Sequence, residues 1–161
     1  MAKVYIETSI VSYLTARPSS NLVAAAWQKE TSDWWNSQRH RFSLCISDLV
    51  IEEAGRGDQG AARRRLVELV GIEVLPLNED VAILSKALIR EGGLPKKAFD
   101  DALHIATAAV HGVDYLLMWN CRHIDNAETK PKIRKICQTH GFACPEIATP
   151  TELMGCDDYG G

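Results

Sequence analysis

The sequence lacks long apolar runs, an excess of positive charge and paired cysteines. In its 161 residues, no apolar run approaches the about 20 residues that a membrane-spanning helix needs. No signal peptide precedes the first strand-like segment, so we expect a cytoplasmic protein with no membrane association. The formal net charge of −3 gives no overall electrostatic argument for nucleic-acid binding. Nucleic-acid binding would therefore depend on a local basic patch.

The five cysteines form no recognisable disulfide pattern or metal-binding motif. Their number is odd, their spacing is irregular and no Cys-x-x-Cys pair occurs, so reduced thiols are expected. A zinc site would have to combine residues whose spacing matches no common ligand set: Cys121, His123, Cys137, His140 and Cys144. We therefore favour free thiols over a zinc centre.

What remains has the composition of an ordinary globular domain, with 46% hydrophobic and 24% charged residues. Strand-like and helix-like segments alternate along the chain, which predicts a parallel sheet covered on both faces. We therefore expect an α/β fold, a three-layer α/β/α sandwich with a central parallel sheet of four to five strands. No repeat, low-complexity segment or linker is visible. The prediction is one domain over residues 1–155 and a mobile tail at 156–161.

The periodicity also predicts the positions of the elements. Strands are expected at 4–6, 42–46, 72–75, 115–118 and 143–147. Helices are expected at 10–14, 22–38, 49–54, 61–69, 81–90, 98–111 and 130–140. In the second helix, Val23, Trp27 and Trp34 share one face, which predicts that they belong to the core.

The segment around Glu7 switches from strand-like to helix-like sequence. Glu7 interrupts an apolar run, where an unpaired charge would be costly. Thr8 and Ser9 are expected to cap the helix that follows. Glu7 would then lie at the carboxyl end of the first strand, where open parallel sheets place their ligands. The alternative is a carboxylate that is merely satisfied by nearby backbone N–H groups.

Four polar side chains lie just after a predicted strand or in a helix that follows one: Glu7, Glu53, Asp101 and Asn120. In a parallel sheet, such positions converge at one edge. Clustered carboxylates repel each other, and a divalent cation removes that penalty. Oxygen ligands without paired thiolates favour Mg²⁺ or Mn²⁺ over zinc. Such a site suits phosphodiester hydrolysis by metal-activated water.

Other polar residues near these positions have two readings. The hydroxyls of Thr8, Ser9 and Ser47 could hydrogen-bond a carboxylate, a water or a phosphate oxygen, or they could be helix caps. His104 follows Asp101 by one helical turn and could support it, or it could be a satisfied, half-buried histidine. The sequence leaves both readings open.

Four segments, in this order, resemble the PIN domain family, and closely its bacterial VapC-like toxin branch. They are Tyr5-Ile6-Glu7-Thr8-Ser9, Ser47-Asp48-Leu49-Val50-Ile51-Glu52-Glu53, Asp101-Ala102-Leu103-His104-Ile105-Ala106 and Asp114-Tyr115-Leu116-Leu117-Met118-Trp119-Asn120. The resemblance implies an α/β/α sandwich, an Mg²⁺- or Mn²⁺-dependent ribonuclease acting on RNA, and a homodimer neutralised by an antitoxin protein.

By position, the resemblance implies that Glu7, Glu53 and Asp101 hold the metal and that Asn120 completes the catalytic set. Two residues depart from the family pattern, since Glu7 and Asn120 stand where Asp is usual. Glu7 carries one more methylene, and Asn120 removes a negative charge. Both changes could weaken metal binding or leave a site that binds without cutting.

The path of an RNA substrate is predicted only from basic residues near the proposed cleft. Lys96, Lys97 and Arg122 could contact phosphates, as could the basic helix near 130–135, or all could be solvated surface. Trp119 could stack on a base, although packing is the simpler prediction.

The leading hypothesis is therefore a metal-dependent endoribonuclease of the toxin type. An alternative is a catalytically weak RNA- or partner-binding module on the same fold, motivated by Glu7 and Asn120. A third is another Mg²⁺-dependent enzyme such as a phosphatase. Against it, this sequence has Glu7 where the Asp nucleophile of such an enzyme is expected after the first strand. A small DNA-binding protein encoded upstream would favour the toxin.

Overall fold

The computed structural model describes residues 1–119, 124 and 126–155. Within these residues, five strands form one parallel sheet in the order β3-β2-β1-β4-β5. The strands are β1 (Lys3–Ile6), β2 (Ser43–Ser47), β3 (Glu73–Leu75), β4 (Tyr115–Leu117) and β5 (Glu146–Ala148). The predicted parallel sheet is confirmed, and the predicted tail at 156–161 lies outside the described residues.

Helices connect the strands on both faces of the sheet. In the described ranges they are α1 (Thr8–Thr15), α2 (Leu22–Ser37), α3 (Asp48–Ala54), α4 (Gln59–Leu69), α5 (Glu79–Arg90), α6 (Phe99–Val110) and α7 (Thr129–Thr139). Helix α1 packs against α2, α3 and α4, whereas α5 packs against α6 and α7. Right-handed crossovers place these two groups on opposite faces, because their connections run in opposite directions across the sheet. The three-layer α/β/α sandwich is thereby confirmed.

Side chains cap the starts of three of the predicted helices. Asn21, Asp58 and Asn78 each accept a hydrogen bond from the backbone N–H three residues further on, at the starts of α2, α4 and α5. Helix α5 ends just before Gly92, whose φ of +84° favours glycine.

The predicted core face of α2 is partly wrong. Trp34 is fully buried and Trp27 is half-buried, but Val23 is 59% exposed. Val23 and its neighbour Leu22 belong to the first turn of α2, which lies outside the core. Trp35 is buried instead. No helix in the described residues is both long and apolar enough to cross a membrane.

Strand β1 occupies the centre of the sheet and places the polar residues that follow it. Val4, Tyr5 and Ile6 are all fully buried, since helices cover both faces of the strand. From β1 the chain moves outward to β2 and β3, then returns to the other side of β1 as β4. The carboxyl end of β1 is therefore a topological switch point, the usual ligand position in open α/β sheets.

Candidate active site

Glu7 lies at this switch point and is the N-cap of α1. Its Oε2 accepts hydrogen bonds from the backbone N–H of Ser9, at 3.0 Å, and from the Ser9 hydroxyl. The prediction that Thr8 or Ser9 caps this helix is wrong, because the chain becomes helical at Thr8 and leaves the cap position to Glu7. Both described hydrogen bonds end on Oε2, so among the described residues Oε1 remains available for a ligand.

Ser9 joins the end of β1 to the residues that follow β4. Its Oγ also accepts a hydrogen bond of 2.9 Å from the backbone N–H of Trp119. The Trp119 ring is 5% exposed and stacks on Trp27, with ring centroids 4.8 Å apart. Its Nε1 donates to the Thr31 hydroxyl at 2.7 Å. Trp119 is therefore a packing residue, and it presents no open face for a base.

Glu53 reaches the same region from α3. Its Oε1 accepts a hydrogen bond of 2.8 Å from the Thr8 hydroxyl and lies 2.6 Å from His104 Nε2. The adjacent Glu52 points elsewhere and forms a 2.9 Å ion pair with Arg56 on the surface. The expectation that these two glutamates point differently is confirmed. Among the described residues, both hydrogen bonds to Glu53 end on Oε1, which leaves Oε2 for a ligand.

His104 extends from α6 into the core and is 1% exposed. Its Nδ1 lies 2.7 Å from the Tyr5 hydroxyl, which in turn lies 2.7 Å from the Ser47 hydroxyl. Ser47 was expected to bind a carboxylate, a water or a phosphate oxygen, or to cap α3. Ser47 occupies the N-cap position of α3, but its hydroxyl makes no capping hydrogen bond; it is fully buried and pairs with Tyr5.

Tyr5 joins Ser47 to His104, a role that was not predicted from the sequence. Tyr5 was treated as an apolar strand residue. A signal was available, since the hydroxyl of a tyrosine in a fully buried strand needs a hydrogen-bond partner. Burial raises the pKa of Tyr5 above its ordinary value, so its hydroxyl stays protonated.

Burial and neighbouring charges push the pKa values of the two glutamates apart. Burial raises the pKa of Glu7, and the opposing effects of His104 and Ser9 do not cancel it. Burial also acts on Glu53, but hydrogen bonds from His104 and Thr8 outweigh it and lower that pKa. Burial alone would lower the pKa of His104, yet the hydrogen bond to Glu53 raises it above its ordinary value. The charges of Glu7 and Asp101 act in the same direction.

The predicted site residues come together in part. Ligand atoms of Glu7, Glu53 and His104 lie within 4.8 Å of one another, close enough to hold a metal ion. Asp101 is half-buried in the first turn of α6, one turn before His104, and lies outside that close group. The role predicted for Asp101 as a metal ligand stays a prediction.

Other predicted residues surround this group or fall outside the described residues. Lys96 and Lys97 are exposed on a 3₁₀ turn, Lys96–Ala98, that leads into α6. Asn120 and Arg122 lie outside the described residues. The basic residues therefore remain predicted RNA contacts.

The structure gives no support to zinc binding among the described cysteines and histidines. His140 Nε2 lies 2.6 Å from Glu91 Oε2, so this imidazole pairs with a carboxylate. Cys137 and Cys144 are free thiols, and the metal-capable group found in the described ranges does not include them. Cys121 and His123 lie outside those ranges.

A sequence model of the PIN domain matches residues 4–119. The chain belongs to the PIN domain family. This match contains Glu7, Glu53, His104 and Asp101, and it ends at Trp119. The family resemblance inferred from four short segments is confirmed. A comparison with curated protein sequences gives no match.

Solved structures of toxin–antitoxin proteins share this PIN fold. A chain of the VapBC2 complex from Rickettsia felis, bound to a promoter DNA fragment, aligns with a TM-score of 0.59 and 13% identity, covering 91% of this chain and 98% of that one. A chain of a toxin–antitoxin complex from Klebsiella pneumoniae aligns with a TM-score of 0.58 and 19% identity, covering 91% of this chain and 97% of that one. VapC20 from Mycobacterium tuberculosis is a toxin that cleaves the sarcin–ricin loop. It aligns with a TM-score of 0.57 and 16% identity, covering 88% of this chain and 99% of that one.

Proposed function

We propose that this PIN-domain protein is an Mg²⁺- or Mn²⁺-dependent endoribonuclease that acts as the toxin of a toxin–antitoxin pair. The observation that carries the proposal is the meeting of Glu7, Glu53 and His104 at the switch point of the sheet. Asp101 precedes His104 by one turn of α6. The likeness to VapC toxins in solved structures adds support through the fold.

The donor set fits a divalent cation. Glu7 and Glu53 each keep one carboxylate oxygen outside the hydrogen bonds described above, and carboxylate oxygens suit Mg²⁺ and Mn²⁺. In the proposed site these two residues and Asp101 hold the cation, and Asn120 assists. A cation held there would supply a water of lowered pKa and would neutralise charge on the phosphodiester.

The protein itself orients the ligands and controls their charge. Ser9 fixes Glu7 against the first turn of α1, and Thr8 and His104 fix Glu53. The contact with Glu53 raises the pKa of His104 and so favours its protonated form, whose charge would offset one carboxylate. Exposed Lys96 and Lys97 are placed to attract the phosphates of an RNA strand entering from the α6 side.

We assign the partner, an antitoxin protein, to a groove between α1 and α4. This groove has a volume of about 400 Å³ and is lined by Leu14, Thr15, Arg63, Arg64, Val67 and Glu68. Its mixture of apolar and arginine side chains suits a segment that is itself apolar and acidic. The proposal includes a homodimer and a cytoplasmic location, where an RNA substrate is found.

Cleavage of a structured RNA tests the activity, with Asp101→Asn and Asp100→Asn as a matched pair. Wild type should cut in Mg²⁺ or Mn²⁺ and stop in EDTA. Asp101→Asn should abolish cutting, because it removes one negative charge from the cation site with almost no change in shape. Asp100→Asn, about 100° round the helix, should cut nearly as wild type does.

Failure of wild type to cut with either cation would reject the nuclease. The binding module, favoured by the departures at Glu7 and Asn120, would then be the better function. Equal cutting by wild type and Asp101→Asn would reject the role assigned to Asp101.

A further inference from the structure

A chain of hydrogen bonds leads from Glu53 into the core. Glu53 Oε1 contacts His104 Nε2, His104 Nδ1 contacts the Tyr5 hydroxyl, and Tyr5 contacts the Ser47 hydroxyl, at 2.6, 2.7 and 2.7 Å. His104 is 1% exposed, and Tyr5 and Ser47 are fully buried. None of these three side chains is exposed to a substrate, and the chain meets the rest of the site at the contact between His104 and Glu53.

We propose that the Ser47–Tyr5–His104 chain is a positioning device that holds the Glu53 carboxylate in one orientation for cation binding. This inference rests on the metal-dependent function proposed above. It makes His104, Tyr5 and Ser47 positioning residues that touch neither substrate nor reacting atoms.

The chain suits this role because its members lie on three different elements. Ser47 ends β2, Tyr5 belongs to β1 and His104 belongs to α6, while Glu53 lies on the short helix α3. A glutamate side chain has several rotamers, and α3 alone would leave Glu53 free to sample them. Bonds that tie a ligand to rigid, buried partners fix its orientation and raise its affinity for a metal.

The geometry favours positioning over direct ligation by His104. Both ring nitrogens already have partners, since Nδ1 faces Tyr5 and Nε2 faces Glu53. Binding of a cation at Nε2 would require His104 to give up the 2.6 Å contact with Glu53. The cation affinities of variants distinguish the two roles, because imidazole is a better ligand for Mn²⁺ than for Mg²⁺.

The test is calorimetric measurement of Mn²⁺ and Mg²⁺ affinity in the full chain, alongside RNA cleavage at saturating cation. His104→Leu fills the buried position with an apolar side chain but removes both hydrogen-bond contacts. It should reduce the affinity for both cations by about 10–100-fold. His104→Gln can still donate to Glu53 and should lose less. Tyr5→Phe should give a smaller loss in wild type and no further loss in the His104→Leu background, since Tyr5 acts only through His104.

Matched controls separate positioning from general destabilisation. His111→Gln changes the histidine just after α6, whose Nε2 contacts the Pro76 carbonyl, and Tyr115→Phe changes a tyrosine on β4. Both should bind the cations as wild type does. If His104→Leu does not fold, the test uses Tyr5→Phe in wild type and in the His104→Gln background. Tyr5→Phe should then reduce cation affinity less in the His104→Gln background than in wild type, or not at all.

Three results would overturn the inference. Unchanged cation affinity in folded His104→Leu, or equal losses from Tyr5→Phe in both backgrounds, would reject positioning while leaving the nuclease intact. If His104→Leu loses affinity for Mn²⁺ but not for Mg²⁺, His104 is a cation ligand instead. If wild type binds neither cation and cuts no RNA, the proposed function fails and the positioning role falls with it.

Discussion

The two glutamates of the site should respond in opposite directions to the same near-isosteric substitution. In metal-free protein the pKa of Glu7 is raised by burial, so the fold disfavours its charge. The pKa of Glu53 is lowered, because contacts with His104 and Thr8 outweigh burial. Glu7→Gln therefore removes an unfavourable charge, and Glu53→Gln removes a favourable one.

The size of each effect follows from the contacts that change. Glu53→Gln loses the charge-assisted hydrogen bond with His104, and such a bond contributes about 1.5–3 kcal/mol. One kcal/mol shifts Tm by about 2–4 °C in a domain of this size, so Tm should fall by about 3–12 °C. Glu7→Gln keeps an oxygen that can accept from Ser9 and should raise Tm, because it removes the charge that burial disfavours.

The pH dependence has a definite sign for each residue. A raised folded-state pKa gives stability that is full below the ordinary pKa of about 4.3 and is lost as pH rises through the folded value. The gain in stability from Glu7→Gln, relative to wild type, should thus be present at neutral pH and become smaller as the pH is lowered. The lowered pKa of Glu53 gives stability above about pH 4.3 that is lost as pH falls through the folded value. The loss of stability in Glu53→Gln, relative to wild type, should therefore become smaller as the pH falls below about 4.3.

Thermal melts in EDTA across this pH range are the assay. Glu52→Gln is the matched control, because Glu52 is exposed and its pair with Arg56 lies on the surface. It should change stability by less than about 0.5 kcal/mol. Shifts of the same sign for Glu7→Gln and Glu53→Gln at neutral pH would refute the charge distribution described here.

Two further predictions concern the cation and the assembly. Millimolar Mn²⁺ should raise the Tm of wild type, by more at higher concentration, and leave Glu7→Gln and Glu53→Gln almost unchanged; the absence of a shift in wild type would count against an intact cation site. Light scattering should detect a dimer at micromolar concentration, and a strict monomer at every concentration would remove the homodimer from the proposal.

The fold was largely predictable because its signals are local. Asn78 and Gly92 mark the two ends of α5 in the sequence itself, and the structure uses both residues as expected. The convergence of Glu7 and Glu53 was predictable as well, since parallel strands bring their carboxyl ends to one edge.

The contacts between side chains of distant elements were not predictable in the same way. Tyr5 and Ser47 meet because β1 pairs with β2 in a register that places Tyr5 opposite Cys45, two residues before Ser47. His104 meets them because of the packing of α6 on the sheet, which no local pattern specifies. Glu7 lies at the carboxyl end of β1 as predicted, but its cap position depended on the single residue at which the strand becomes a helix.

The central claim is that the carboxylates at the end of β1 and on α3 hold a divalent cation. Anomalous diffraction from a crystal soaked in MnCl₂ tests it most directly. We expect a manganese peak within coordination distance of both the Glu7 and Glu53 carboxylates, and no such peak in Glu53→Gln. A soaked wild-type crystal with no peak there, or with manganese bound only elsewhere, would contradict it.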